Sequence, residues 1–460
     1  MGERHSPVRP GEGPPRRWSE QRAEQRLRSL ELFGMRFGLD RMRRLMTALG
    51  SPERAFDSIQ VLGTNGKTST TRMIAAILQR HGVGTAAYTS PHLLAYRERI
   101  MIGGEVIGPS EFSGAVARAD RAAEVVNRTL QAGDHVTQFE LLTAAALWEM
   151  ARREVEVAVV EAGLGGRYDA TSVLDARVTV LTNVGLEHTR WLGPTITDIA
   201  EEKLAVVRTG GTLVLGAGLH PDALAVAERI AAERGAVIVR PEPLAPDVRL
   251  ASAGSFQRTN MALARAAAAA MLGRRGVPLR EQAVREAAEL TFLAGRLQRV
   301  AEDPPTVLDG AHNPHAVQAL VQALPAVLGA SPPALVLGVL EDKDSEQMLR
   351  LLLPRSARVW FTAPPSGRAL SPAALQSRAR QLGFEDTVCE PHPERALAQA
   401  QAWAREHGTA VLATGSVYLV GELLACAGGA AVAAGPGPGG AARGSGTLGQ
   451  APGAARSSAR

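Results

Sequence analysis

Cysteine is almost missing from this chain: Cys389 and Cys426 are the only two in 460 residues. Two cysteines cannot make a disulfide framework, nor a zinc site by themselves. Long apolar runs are missing as well. No stretch approaches the roughly 20 uninterrupted apolar residues of a membrane span, so no membrane association is expected. The first thirty residues are rich in Arg, Pro and Glu and hold no apolar segment of the kind a secretory signal carries. A reducing cytoplasm is the expected location.

Acid is absent from residues 427–460, which hold three arginines, while residues 1–28 hold seven arginines against four glutamates. The net charge of +5 therefore belongs to the two ends, and the body between them is close to neutral. A protein that binds a phosphate backbone carries its positive stripe on the fold. Nucleic acid is not an expected partner. Lysine is scarce too: Lys67, Lys203 and Lys343 stand against 48 arginines. Where only a positive charge is needed arginine serves, so each remaining lysine is a candidate for a role that needs a compact, deprotonatable amine.

What is present reads as a soluble globular protein, 45% apolar and 21% charged, long enough for two to three domains. Residues 1–20 and the Gly-, Ala- and Pro-rich residues 427–460 are expected to be disordered. Between them, short β-branched runs alternate with amphipathic stretches, as in parallel α/β units. Strands are expected at Ser58–Leu62, Val155–Val160, Val178–Leu181, Thr212–Leu215 and Ala236–Val239, with helices over Thr68–His81, Ile196–Val207 and Pro221–Arg234. Residues 252–294 read as helical, without a strand. A second series follows Gly295, with strands near Thr306–Leu308, Ala334–Leu337, Val359–Thr362 and Ala410–Ala413. The fold expected is α/β: an N-terminal P-loop ATPase-like domain with a parallel sheet (21–295), then a smaller Rossmann-like α/β domain (296–426).

The segment Gly63-Thr64-Asn65-Gly66-Lys67-Thr68-Ser69 follows a strand and opens a helix. Backbone N–H groups and the helix N-terminus both favour an anion there. Lys67 would reach the β/γ-phosphates of ATP, and Thr68 could offer magnesium a hydroxyl. Val61 stands where the general G-x-x-x-x-G-K-[ST] pattern has its first glycine. Glu161 ends a buried strand at a Gly-rich turn, the carboxyl-end position where open α/β sheets bind ligands. His188 follows the next apolar strand and Ser90 a third, so the three can converge. Asp309 closes the first strand of the second series, where a carboxylate can accept ribose hydroxyls.

Several blocks, taken in order, resemble one family. Gly63–Lys67 is similar to the short P-loop of the Mur ligase superfamily. Thr89-Ser90-Pro91-His92-Leu93, Glu98-Arg99-Ile100 and Glu161 through Thr171 resemble folylpolyglutamate synthase/dihydrofolate synthase. So do Asn183 through Thr189, Trp191-Leu192-Gly193, Glu202-Lys203, Gly295-Arg296, Leu308 through Pro314 and Thr414 through Leu419. The resemblance runs from about residue 30 to 425.

The resemblance implies an ATP-dependent ligase that joins L-glutamate to a pteroate or folate carboxylate, through an acyl phosphate. It implies magnesium on Ser90, Glu161 and His188, with a carbamylated Lys203 beside the metals. It implies ATP contacts from Gly63, Thr64, Asn65, Gly66, Lys67, Thr68, Ser69, Asn260, Arg296 and Asp309. His312 and Ser416 match positions that hold glutamate. Thr137, Gln138, Phe139, Glu140, Tyr168, Asp169 and Ala170 match segments lining the pteroate site. A monomer is expected from the same source.

Two departures stand out. The family's usual Gly-Lys-Gly-Ser is Gly-Lys-Thr-Ser here, and its D-A-T-N ends in Ser172. Cell-wall Mur ligases share the Thr, but they carry an N-terminal domain for which the sixty or so residues before this loop leave too little room. A non-catalytic ATP-dependent switch would need neither Lys203 nor the Asp309–His312 block.

Overall fold

The structure, a computed structural model, describes residues 18–30 and 38–426. The described residues form two sheets. The first is built from β1 (Asp57–Leu62), β2 (Thr85–Tyr88), β3 (Ile100–Ile102), β4 (Glu105–Val106), β5 (Val157–Glu161), β6 (Val178–Leu181), β7 (Thr212–Leu215) and β8 (Val237–Val239). Their spatial order is β4-β3-β2-β5-β1-β6-β7-β8. From β2 to β8 every pair is parallel, while β3 and β4 form an antiparallel hairpin on one edge.

The central strands are apolar and closed on both faces, as a parallel sheet requires. Helices Lys67–Arg80, Ser255–Arg274 and Glu281–Leu290 cover one face. On the other, helices Pro109–Asn127 and Gln138–Arg152 lie over β2 and β5, with Glu20–Arg28 and Asp40–Leu49 packed outside them. Helices Ile196–Leu204 and Pro221–Arg234 cover the β6–β7 side.

The second sheet has β9 (Gln298–Glu302), β10 (Pro305–Leu308), β11 (Ala334–Leu337), β12 (Arg358–Phe361), β13 (Thr387–Cys389) and β14 (Val411–Thr414), ordered β13-β12-β11-β14-β10-β9. It is parallel except for the edge strand β9. Two apolar layers, one per face, enclose it.

The expected α/β architecture is observed, with differences at the edges. Strand β3 is only three residues long, and β4, β9 and β13 mix polar with apolar residues, so no apolar run of useful length announces them. The stretch 252–294 is helical and strand-free, as expected. The N-terminal expectation is corrected from Trp18 on: Ser19 accepts a hydrogen bond from Arg22 N and caps helix Glu20–Arg28. That helix is held by its buried Ala23 and Leu27 and by an ion pair from Arg26 to Asp120. The remaining residues expected to be disordered, 1–17 and 427–460, lie outside the described residues. Among the described residues no helix is long and apolar enough to cross a membrane.

The two sheets meet through the loop after β2. Leu93 and Leu94 pack on the second core beside Leu308, Leu419 and Val420. Helix Val417–Cys426 approaches so closely that a Cβ on Gly421 would stand 2.2 Å from the Leu93 carbonyl oxygen.

Candidate active site

Because β2, β5, β1 and β6 are adjacent and parallel, the loops at their carboxyl ends open side by side. Those loops carry Ser90, Glu161, the Gly63–Lys67 turn and His188, and together they line a cavity of about 180 Å3. Arg296, His312 and Val417 close it from the second sheet.

The phosphate-type loop is pinned to β6. Thr64 N donates to the Asn183 carbonyl (3.1 Å), Asn65 N to Asn183 Oδ1 (2.9 Å), and Thr182 Oγ1 to the Asn65 carbonyl (2.6 Å). Gly63, at φ +144°, has no room for a side chain, since a Cβ would lie 1.9 Å from Thr182 Oγ1. Gly66 starts helix Lys67–Arg80 from a left-handed conformation and abuts Asn260 Oδ1, 2.7 Å from where its Cβ would be. Lys67 Nζ donates to the Thr64 carbonyl at 3.0 Å.

Glu161 is 1% exposed, and its Oε2 accepts from Thr68 Oγ1 (2.8 Å) and Ser90 N (3.1 Å). Burial pushes its carboxyl above the usual range, against the pull of Lys67 and of these two neutral donors. A buried carboxylate with neutral donors is a position that a cation stabilises. Among the described residues no three His, Cys, Asp or Glu side chains cluster as a metal site. Magnesium tolerates that, since it commonly takes one or two carboxylates and completes its shell with phosphates and water. His188 lines the same cavity in a left-handed backbone conformation, and burial lowers its imidazole to about 4, so it is neutral at pH 7.

Lys203, in helix Ile196–Leu204, is 4% exposed, and its Nζ donates to the Gly63 carbonyl at 3.1 Å. Burial, with Lys67 nearby, lowers its amine to about 7. Two lysines thus flank one loop, one poised to meet phosphate and one with a readily neutral amine.

Several expected residues are engaged elsewhere. Asp309 accepts from Leu297 N and Ala311 N, both at 2.8 Å, and braces its own loop. Asp169 accepts from Leu164 N and Thr171 N. Thr137 and Glu140 form a capping box at the start of helix Gln138–Arg152, and Glu140 also pairs with buried Arg41. Gln138 donates to the Leu27 carbonyl and Tyr96 Oη, while Phe139 stands against Gly163. Ser416 Oγ accepts from Tyr418 N. None of these lines the cavity, nor do half-exposed Tyr168 and buried Ala170.

The structure also gives places to residues to which the sequence assigned no position in the site. Glu187 Oε1 lies 2.8 Å from Lys343 Nζ, 3.6 Å from His312 Nε2 and 3.8 Å from His188 Nε2. Burial opposes its charge, yet His312, Lys343 and His188 together hold the carboxyl well below its ordinary value. The scarcity of lysine was the one signal pointing to Lys343. Glu98 accepts from the amides of Leu93, Leu94 and Ala95 and shapes the loop after Ser90.

Comparison with known proteins now decides the family. The Mur ligase middle domain matches residues 61–218, and the Mur ligase glutamate ligase domain matches residues 295–417. A folylpolyglutamate synthase of Lacticaseibacillus casei is 34% identical over 357 residues, covering 72% of this chain and 83% of its own. This chain belongs to the folylpolyglutamate synthase/dihydrofolate synthase family. A family member from Bacillus subtilis, a dihydrofolate synthase/folylpolyglutamate synthase, is 31% identical over 415 residues, 85% of this chain and 95% of its own. Among solved structures, folylpolyglutamate synthase of Mycobacterium tuberculosis complexed with ADP and AMPPCP superposes with a TM-score of 0.82. It is 30% identical over 89% of this chain and 99% of that one.

Proposed function

We propose that this chain joins L-glutamate to the carboxylate of a dihydropteroate, a folate, or both, at the expense of ATP. The observation that carries this reading is the convergence of the phosphate-type loop, buried Glu161 and buried Lys203 with Arg296 and His312 in one cavity between two sheets. A solved relative is described as complexed with AMPPCP and folate, and another with DHPP and ADP.

A carboxylate and an amine do not condense unaided at neutral pH. In this reading a pteroate carboxylate oxygen attacks the γ-phosphorus of ATP, ADP leaves, and an acyl phosphate results. The glutamate amine then adds to the acyl carbon, loses a proton, and phosphate departs as the amide forms. The N–H groups of Gly66, Lys67 and Thr68 at the helix start and the Lys67 ammonium stabilise the charge on the transferring phosphoryl group. Glu161, Ser90 and His188 would hold magnesium, which supplies further neutralisation of the phosphates when bound. The neutral amine that burial favours at Lys203 can add to carbon dioxide, giving a carbamate and a proton; arginine cannot do this. Such a carbamate would add a second carboxylate beside Glu161.

In this reading Asn260 and Arg296 contact the nucleotide from the linker side, Asp309 meets its ribose hydroxyls, and His312 and Ser416 hold glutamate. The segments 137–140 and 168–170 are assigned to the pteroate. Residues 21–295 then form the nucleotide-binding domain and 296–426 the glutamate-ligase domain of a cytoplasmic monomer. Phosphate release that requires both glutamate and a pteroate tests the reading; release that ignores either substrate would overturn it.

A further inference from the structure

Asn65, between the two glycines of the phosphate-type loop, faces Asn313 at the start of helix Pro314–Leu328 in the second sheet's domain. The two carboxamides bond reciprocally: Asn65 Nδ2 donates to Asn313 Oδ1 (3.2 Å), and Asn313 Nδ2 donates to Asn65 Oδ1 (3.0 Å). His315 Nδ1 lies 3.1 Å from Asn65 Nδ2 on the same side. Asn313 is 4% exposed, and its Oδ1 also accepts from Ala316 N at 2.8 Å, capping the helix.

Each partner is fixed to its own sheet. The backbone N and O of Asn65 are bound by Asn183 and Thr182 at the end of β6. On the other side, the Asp309–Asn313 turn is braced by the Asp309 carboxyl on Leu297 N and Ala311 N, and by Gly415 N on the Ala311 carbonyl. That same turn carries His312 into the cavity. The amide pair therefore joins two rigid loops, one that would cradle phosphate and one that bears a group on the opposite wall. All four polar atoms of Asn65 are engaged by protein, so its side chain is committed to the opposite domain.

We propose that Asn65 and Asn313 are a positioning pair: their reciprocal amide contact holds the phosphate loop in register with the His312 wall, and so acts on the ligation step rather than on nucleotide affinity. Neither side chain is a catalytic residue in this assignment. It rests on the reading of the Gly63–Ser69 loop as the nucleotide cradle. A small misplacement of reacting groups is costly while binding to one wall alone is not affected.

Asn313→Ser separates the roles, because a serine hydroxyl can still cap the helix but is too short to reach Asn65. Loss of two aligned hydrogen bonds at the joint should lower kcat for glutamate-dependent phosphate release about tenfold, with the Kd for ADP by calorimetry within about twofold of the unaltered protein. Asn65→Ala should lose as much, and the double variant no more than either alone. If the serine variant does not fold, Asn313→Asp, which keeps the cap and one of the two bonds, should show an intermediate loss of kcat. Undiminished kcat in a folded variant, or losses that multiply in the double variant, would overturn the proposal. A lowered Tm with full kcat would do so too, since the pair would then be cohesive only. If ADP fails to bind the unaltered protein, the nucleotide reading falls, and this inference with it.

Discussion

At the scale of single residues, burial moves the Lys203 amine far from its ordinary chemistry. Its value of about 7 in the folded protein lies below the 10.5 of an exposed lysine. Between those two values the unfolded chain keeps a proton that the folded chain has released, so stability rises with pH across the window; below about pH 7 the cost of the buried charge is present in full. In carbon-dioxide-free buffer, the urea midpoint should climb from about pH 7 toward about pH 10 by more than it does in Lys203→Met. Parallel curves for the two proteins would show that burial does not perturb this amine. Lys203→Arg is expected to lose most ligase activity, because a guanidinium stays charged and cannot take up carbon dioxide. Full phosphate release with glutamate and pteroate in that variant would reduce Lys203 to a simple cation. Lys203 was legible beforehand because a chain with 48 arginines kept a lysine there. Its desolvation was not, since that depends on the distant Gly166 turn packing on the Lys203 backbone and the Gly63 loop meeting its amine.

At the scale of elements, the N-terminus of helix Lys67–Arg80 is where sequence and structure agree best. A strand, a Gly-rich turn and a helix in that order dictate a loop with converging N–H groups, whatever follows. Glu161 and His188 were readable for the same reason, since apolar runs fix where parallel strands end. The segment 137–140 also carried a plain physical signal, Thr-x-x-Glu, which marks a helix start. The structure spends those side chains on that cap. Thr68 Oγ1 is one of two donors to Glu161 Oε2. Thr68→Gly removes it and leaves the Ser90 amide, so the magnesium needed for half activity should rise only about threefold, the value of one hydrogen bond. A rise of tens-fold in a magnesium titration would instead make the Thr68 hydroxyl a metal ligand.

At the scale of the whole molecule, contacts between the two sheets were the least legible feature. Lys343 and Glu187 are 156 residues apart, and no local pattern couples them. Both side chains are nearly buried, 8% and 11% exposed. Removing one leaves a buried charge with less compensation, so Lys343→Met should cost about 3 kcal/mol in denaturant unfolding. Lys343→Met with Glu187→Gln should cost clearly less than the two single changes added together. Strict additivity would mean that the ion pair does not form in solution. Gly421 has a different consequence. With the Leu93 carbonyl 2.2 Å from the place a methyl would occupy, any larger residue there is a wedge driven between the halves of the protein. Alanine, then valine, at 421 would act as shims of increasing thickness, and the gap between the cavity walls becomes a quantity that can be dialled from one helical turn behind Val417, the residue of this helix that lines the cavity.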